Sequence, residues 1–155
     1  VDLFSQRVSN ECSEYLACHP SPSDLLGRAF FGSNVFIGEK IASLSMNAAF
    51  SLYPNDATTL PTHFKANDQY LHWKVTMKAP LELLCSWEVK ALNFRGVTML
   101  AYDPSLRKAY HGNCIDVAEG KSDGFIPEMA VQMHVKYAEI LLNGMVNELE
   151  KDCKK

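Results

Sequence analysis

The sequence predicts an α+β fold in which a curved antiparallel β-sheet wraps around a long C-terminal helix, with two short helices after the first strand. Three observations predict it. Apolar residues recur at helical spacing between Pro22 and Pro54, the period switches to two between Thr58 and Asp116, and a broad apolar stripe returns at helical spacing from Pro127 to Leu149. The chain has 155 residues, 47% of them hydrophobic and 21% charged, which is one domain's worth and enough to bury a sizeable core. No linker, repeat or low-complexity tract divides it, so residues 1–155 read as a single domain.

The first ten residues carry Leu3, Phe4 and Val8 and suit a short strand. Ser21-Pro22-Ser23-Asp24 is a helix start with a mechanism: Ser21 can cap, Pro22 fits the first helical position, and Asp24 sits where a capping-box acid reaches back. Leu25, Leu26, Ala29 and Phe30 follow at helical spacing, and Gly32 ends the segment. Ile37, Ile41, Leu44 and Ala48 then mark a second amphipathic helix that stops before Pro54.

From there Leu71, Trp73, Val75 and Met77 alternate with Tyr70, His72, Lys74 and Thr76, as in a half-buried strand. Ala79-Pro80 interrupts, Leu83 to Leu92 forms a second run, Asn93 to Gly96 is read as a turn, and Val97 to Tyr102 is a third. Asp103-Pro104-Ser105 turns the chain into Arg107 to Val117. That makes at least four consecutive strands in a meander, with Thr62 to Ala66 a weaker fifth. After the glycine-bearing loop from Gly120 to Gly124, two adjoining stripes define a helix of about 25 residues, roughly 37 Å long. One is Ala130, Met133, Tyr137, Ile140 and Leu141; the other is Val131, Val135, Ala138, Leu142, Met145 and Leu149. Gly144 within it costs about 1 kcal/mol relative to alanine and marks either a close backbone approach or a slight bend.

This order of elements resembles the helix-grip fold of the START-like group, which includes polyketide cyclases, aromatase/cyclases, pollen-allergen-like proteins and lipid-transfer domains. Within it, the chain is similar to an uncharacterised bacterial family through Asp2-Leu3-Phe4-Ser5, Asp68-Gln69-Tyr70-Leu71-His72-Trp73-Lys74-Val75 and Leu106-Arg107-Lys108-Ala109-Tyr110. The START-like core has six strands after its helix pair, where this sequence offers four or five. The resemblance implies a cavity between sheet and helix, apolar with a few polar groups, that takes a small, largely apolar organic molecule. It implies either cofactor-free cyclisation, isomerisation or dehydration, or carriage without chemistry. That family has no established catalytic residues, so no residue role is carried over from it.

Candidate residues are therefore the polar and aromatic groups on the strands and the last helix. His72, His111, Tyr110 and Glu88 are the catalytic candidates. Imidazole titrates near 6.5, the natural range for a proton carrier, and a buried carboxyl is pushed toward neutrality. If Leu71, Trp73 and Val75 point inward, His72 faces solvent; with the opposite pleat Tyr70 and His72 line the cavity. Tyr110 and His111 are adjacent in a strand and point to opposite faces, which leaves open the one that enters. Trp87 inward places Glu88 outward. Arg95, Tyr102 and Asp103 cluster with them in sequence, and Asp103 is most simply a turn residue. Tyr70, Trp73, Trp87, Tyr102, Met133 and Tyr137 are the candidate ligand contacts, with Met129 and Met145 as further adaptable groups.

Other classes are poorly supported. A formal net charge of -3, a pI near 5.9 and the lack of a Lys/Arg block argue against nucleic acid. No apolar run reaches the roughly 18 residues of a membrane span. There is no Gly-x-Gly-x-x-Gly, phosphate-cradling loop or Gly-x-Ser-x-Gly, and the five histidines lack the i, i+4 pairing of a helical zinc site, so no metal or cofactor is expected. Cys12, Cys18, Cys85, Cys114 and Cys153 are read as reduced, a local Cys12–Cys18 bridge being the open exception. With no signal peptide visible after Val1, this reading makes the protein cytoplasmic. The competing expectation is an interaction module, a homodimer formed through the stripe from Val131 to Leu149.

Overall fold

The computed structural model of the chain describes residues 2–50, 54–89, 94–117 and 125–154, with the side chains of 125–134 and a few other positions excepted. The order is β1 (Asp2–Arg7), α1 (Asn10–Cys18), α2 (Pro22–Gly32), α3 (Asn34–Phe50), a 3-10 turn (Asn55–Thr58), β2 (Gln69–Tyr70), β3 (Trp73–Ala79), β4 (Glu82–Val89), β5 (Phe94–Asp103), β6 (Lys108–Val117) and α4 (Phe125–Asp152). The strands form one antiparallel sheet in the order β1-β6-β5-β4-β3-β2, so the first strand closes against the last. The C-terminal helix α4 packs on β1, β6 and α2, which gives the expected α+β arrangement of sheet and terminal helix.

The core lies between the sheet and the helix layer. From α2 come Leu25, Leu26, Ala29, Phe30 and Phe31; from α4 come Ala138, Leu141, Leu142, Met145, Val146 and Leu149; from the strands come Trp73, Val75, Leu83, Cys85, Leu100 and Tyr102. Two helical glycines permit this closeness. A Cβ on Gly27 would sit 2.5 Å from the Phe64 ring, and one on Gly144 would sit 2.9 Å from Val35 Cγ2. Gly144 thus marks a close approach, between α4 and the start of α3.

Several expectations are corrected. There are three helices after β1, not two. The extra one, α1, starts at Ser9, whose Oγ accepts from Cys12 N–H at 3.1 Å, and it buries only Cys12 and Leu16, too narrow a stripe to read from spacing. Ser21 makes no side-chain cap bond, since Ser23 N–H donates to Pro80 O and Asp24 N–H to the Ser21 carbonyl. Nor does Asp24 reach back to Ser21 N–H, which donates to His19, while the Asp24 carboxylate takes Phe64 N–H, Lys78 and His63. Half of the apolar stripe of α3 faces outward: Ile37 and Ile41 are 47% and 61% exposed, whereas Leu44 packs against the core and Phe36 and Ser43 are buried. The helix is rotated so that Phe36 joins the Phe30, Phe31 and Trp73 rings at centroid distances of 5.1–6.2 Å.

The strand expected across residues 70–77 is broken. Leu71 has φ 55°, an uncommon state for a bulky residue, and Leu71-His72 make a two-residue turn across which Tyr70 pairs with Trp73. The Leu71 N–H, which the ladder loses, donates to Ala57 O at 2.7 Å. Tyr70, Leu71 and Trp73 are consequently all buried, against simple alternation. Phe94–Gly96 belong to β5 and not to a turn, while 90–93 lie outside the described residues; Thr62 to Ala66 is irregular. Five strands therefore follow the helices, with β1 the sixth of the sheet.

Cys12 and Cys153 are joined by a disulfide with Cα atoms 5.1 Å apart. This overturns the fully reduced reading and removes the premise on which a cytoplasmic location rested, since such bridges persist in oxidising compartments. Cys18 and Cys114 are exposed thiols, and burial pushes the Cys85 thiol up to about 12. No helix among the described residues is long and apolar enough to cross a membrane. On α4, Ala138, Leu142, Met145 and Leu149 are buried within the chain itself, so this part of the stripe expected to pair two copies is already covered.

Candidate functional site

The rotation of α3 that exposes its isoleucines brings Glu39 and Ser43, one turn apart, onto the β2–β3 turn. His72 sits at that turn between them. Its Nδ1 lies 3.1 Å from Ser43 Oγ and its Nε2 lies 3.3 Å from Glu39 Oε1. Glu39 Oε2 accepts from the Tyr137 hydroxyl of α4 at 2.8 Å. A consistent placement of protons follows: Ser43 O–H donates to Nδ1, Nε2–H donates to Glu39, and Tyr137 O–H donates to the same carboxylate. Burial, and then the Glu39 charge, raise the Tyr137 phenol well above its ordinary value, so it remains a donor. Ser43 is buried, but the His72 and Glu39 side chains are 13% and 19% exposed, so the relay reaches solvent at its centre. An imidazole with a carboxylate on one nitrogen and a hydroxyl on the other can take up and release a proton without losing its orientation.

Of the ten expected residues, the fold brings His72 and Tyr137 into this relay. Trp73 adjoins it, its ring 5.4 Å from the His72 ring, and the Trp87 ring lies a further 5.9 Å on, directly across the β3–β4 pair. Both indole Nε1 atoms are buried and donate to no acceptor among the described residues. Tyr70 packs in the core against Phe31 and Phe36. His111 is the inward member of its pair: it is fully buried, its Nδ1–H donates to Ala138 O at 2.9 Å, and its ring lies 5.2 Å from Phe30. Tyr110 takes the other face, half-buried, opposite Ser5 and Ala101. Glu88 is exposed beside Arg95, as Trp87 inward requires. Tyr102 is buried and donates to Ser13 Oγ at 2.7 Å, a tie from β5 to α1. The Met133 side chain lies outside the described residues. Asp103 is a turn residue, accepting from Ser105 N–H, Ser105 Oγ and Leu106 N–H, which hold its carboxyl below the usual range.

Glu39 and Ser43 are not among the residues that the sequence singles out. The available signal is their spacing of four, which puts a carboxylate and a hydroxyl on one side of the helix; reading it requires knowing that Phe36 turns inward.

Among the described residues, the space between α2, α3 and the β2–β3 end of the sheet is filled. Phe30, Phe31, Phe36, Phe64, Tyr70 and Trp73 form a continuous set of rings at centroid distances of 5.1–6.3 Å. A narrow cleft lined by Phe31, Phe64, Gln69, Tyr70 and Trp73 leaves no room for a water molecule. Ligand pockets typically run from about 300 Å³ upward. Among the described residues no three His, Cys, Asp or Glu side chains gather as metal ligands would. No protein-family model, curated protein or solved structure matches the chain.

Proposed function

We propose that the chain handles a small, largely apolar organic molecule carrying a hydrogen-bond acceptor, and that it performs cofactor-free acid–base chemistry on it, of the cyclisation, isomerisation or dehydration type, with His72 as the proton carrier. The observation that carries this reading is the Ser43–His72–Glu39–Tyr137 relay, a chain of titratable groups that is half out of water and spans three elements. Such an arrangement is costly to bury for packing alone and is what proton transfer needs. The buried indole donors of Trp73 and Trp87 next to it, which meet no acceptor among the described residues, support an acceptor on the ligand. The START-like helix-grip reading rests on the general order of elements, a strand, helices, an antiparallel meander and a long terminal helix; the chain departs from that core in having three helices and five strands where it has two and six. Carriage without chemistry is the second reading, favoured by the apolar rings that surround the relay.

The test is native mass spectrometry of the freshly purified chain against its denatured mass. A non-covalent excess identifies the ligand class; His72→Gln and Glu39→Gln are then assayed for turnover of that compound. Turnover lost in both variants with binding retained supports the enzyme, and binding without turnover in the wild type supports the carrier. A bare mass, together with no binding from a panel of aromatic ketones, sinks both.

A further inference from the structure

The helix α1 is short, nine residues, and helices of this length do not hold together alone in water. Its anchors concentrate at one end. Cys12 is bonded to Cys153 just beyond α4, and Ser9 N–H and Oγ each donate to one oxygen of Glu150 at 2.6 Å. Farther along, Leu16 is fully buried and Ser13 accepts from Tyr102. Under α1 lies an apolar end of the core that includes Val8, Tyr102, Leu149 and the partly buried Cys153. The Ser9–Glu150 clasp is exposed, so water competes for it, whereas the bridge is covalent and joins points 141 residues apart in sequence.

We propose that α1 is a redox-latched cap: with the Cys12–Cys153 bridge closed it seals this end of the core, and with the bridge open it lifts away and exposes an apolar surface between β5 and α4. The reductant is a dithiol. Its thiolate attacks Cys153 Sγ, the less buried of the two sulfurs, and the S–S bond breaks with the electron pair leaving on Cys12. The reductant's second thiol then displaces Cys153 from the mixed disulfide, giving two protein thiols and one oxidised dithiol.

Alkylation of the denatured, unreduced chain with iodoacetamide should modify three cysteines, Cys18, Cys85 and Cys114, and five after reduction. Hydrogen exchange followed by mass spectrometry then compares the oxidised chain, the same chain in dithiothreitol, Cys153→Ser, and Cys18→Ser as control. The expected result is exchange across residues 10–18 at least about tenfold faster in the reduced chain and in Cys153→Ser, with β3 to β5 unchanged and with increased binding of an anilinonaphthalene dye. Cys18→Ser should match the oxidised wild type. Five alkylated cysteines without reduction, unchanged protection of α1 when the bridge is open, or loss of protection throughout the chain at once would each overturn the proposal. None of these readouts involves His72, so a failure here leaves the proposed chemistry standing, and the reverse.

Discussion

The carboxylate of Asp24 offers the sharpest quantitative test of how the helix layer is tied to the sheet. It is 4% exposed and accepts from Lys78 Nζ at 2.6 Å on β3, from Phe64 N–H at 2.8 Å and from His63 Nδ1 at 3.1 Å. Burial alone would raise its pKa; the bonds from Lys78, Phe64, His63 and Ser21 together outweigh burial and lower it from 3.8 to about 2. That difference corresponds to about 2.5 kcal/mol before screening. Lys78 is 24% exposed and His63 75%, so water and salt weaken the pairing and about 1–2 kcal/mol is the realistic contribution. Because the folded value is depressed, this stability is present above pH 4 and is lost as the pH falls through about 2. Asp24→Asn should therefore be less stable by about 1–2 kcal/mol at pH 7, or about 2–8 °C in Tm for a chain of this size. The gap should close progressively below pH 4. Urea unfolding followed by circular dichroism at pH 7, 5, 3.5 and 2.5 measures it. A gap of constant size across that range would refute the ion pair as its source, and a more stable variant at pH 7 would refute the pairing as favourable.

Three further outcomes are expected. Gly27→Ala should destabilise by about 1–2 kcal/mol in urea unfolding, because the new methyl meets the Phe64 ring at 2.5 Å and Leu83 at 2.8 Å, a strain that exceeds the helix-propensity gain of about 1 kcal/mol; a net gain would mean that the Phe64 ring moves aside. Phe30→Ala removes the ring that touches Phe31, Phe36, Trp73 and His111, and should cost about 3–5 kcal/mol in thermal or chemical unfolding. Alkaline titration at 295 nm should show fewer than the six tyrosines ionising before the chain unfolds, and Tyr137→Phe should leave that early amplitude unchanged; a smaller amplitude in the variant would place Tyr137 among the free phenols.

The sheet, α2 and the terminal helix were legible because each buries a wide face, so period and burial coincide. The strand pattern failed at Leu71, where one residue at positive φ converts a run of seven into a hairpin, and no periodicity reveals a single dihedral. It failed on α3 for a different reason. Ile37 and Ile41 outnumber Phe36 on hydrophobicity, yet a buried aromatic contributes more contact area than an isoleucine, and the buried face is the one that carries Phe36. The site followed from that rotation: His72 and Tyr137 could be picked by residue type, but Glu39 and Ser43 join them only because Phe36 turned inward. The disulfide was illegible because its two cysteines stand 141 residues apart and meet only once β1 has closed on β6.

The two histidines singled out by residue type separate into different roles by what they touch. His111 is sealed from solvent, donates to a backbone carbonyl of α4 that cannot change its protonation, and lies against Phe30; its bond ties the sheet to the helix. His72 has a hydroxyl on one nitrogen, a carboxylate on the other and a partly exposed ring, the arrangement on which the proposed proton transfer rests. His111→Ala should therefore cost about 2–4 kcal/mol in unfolding, from lost packing and a lost sheet-to-helix bond. His72→Gln, which keeps polar atoms near Ser43 and Glu39, should cost about 1 kcal/mol or less. If His72→Gln proves as costly in unfolding as His111→Ala, the relay is a packing device joining α3 to α4.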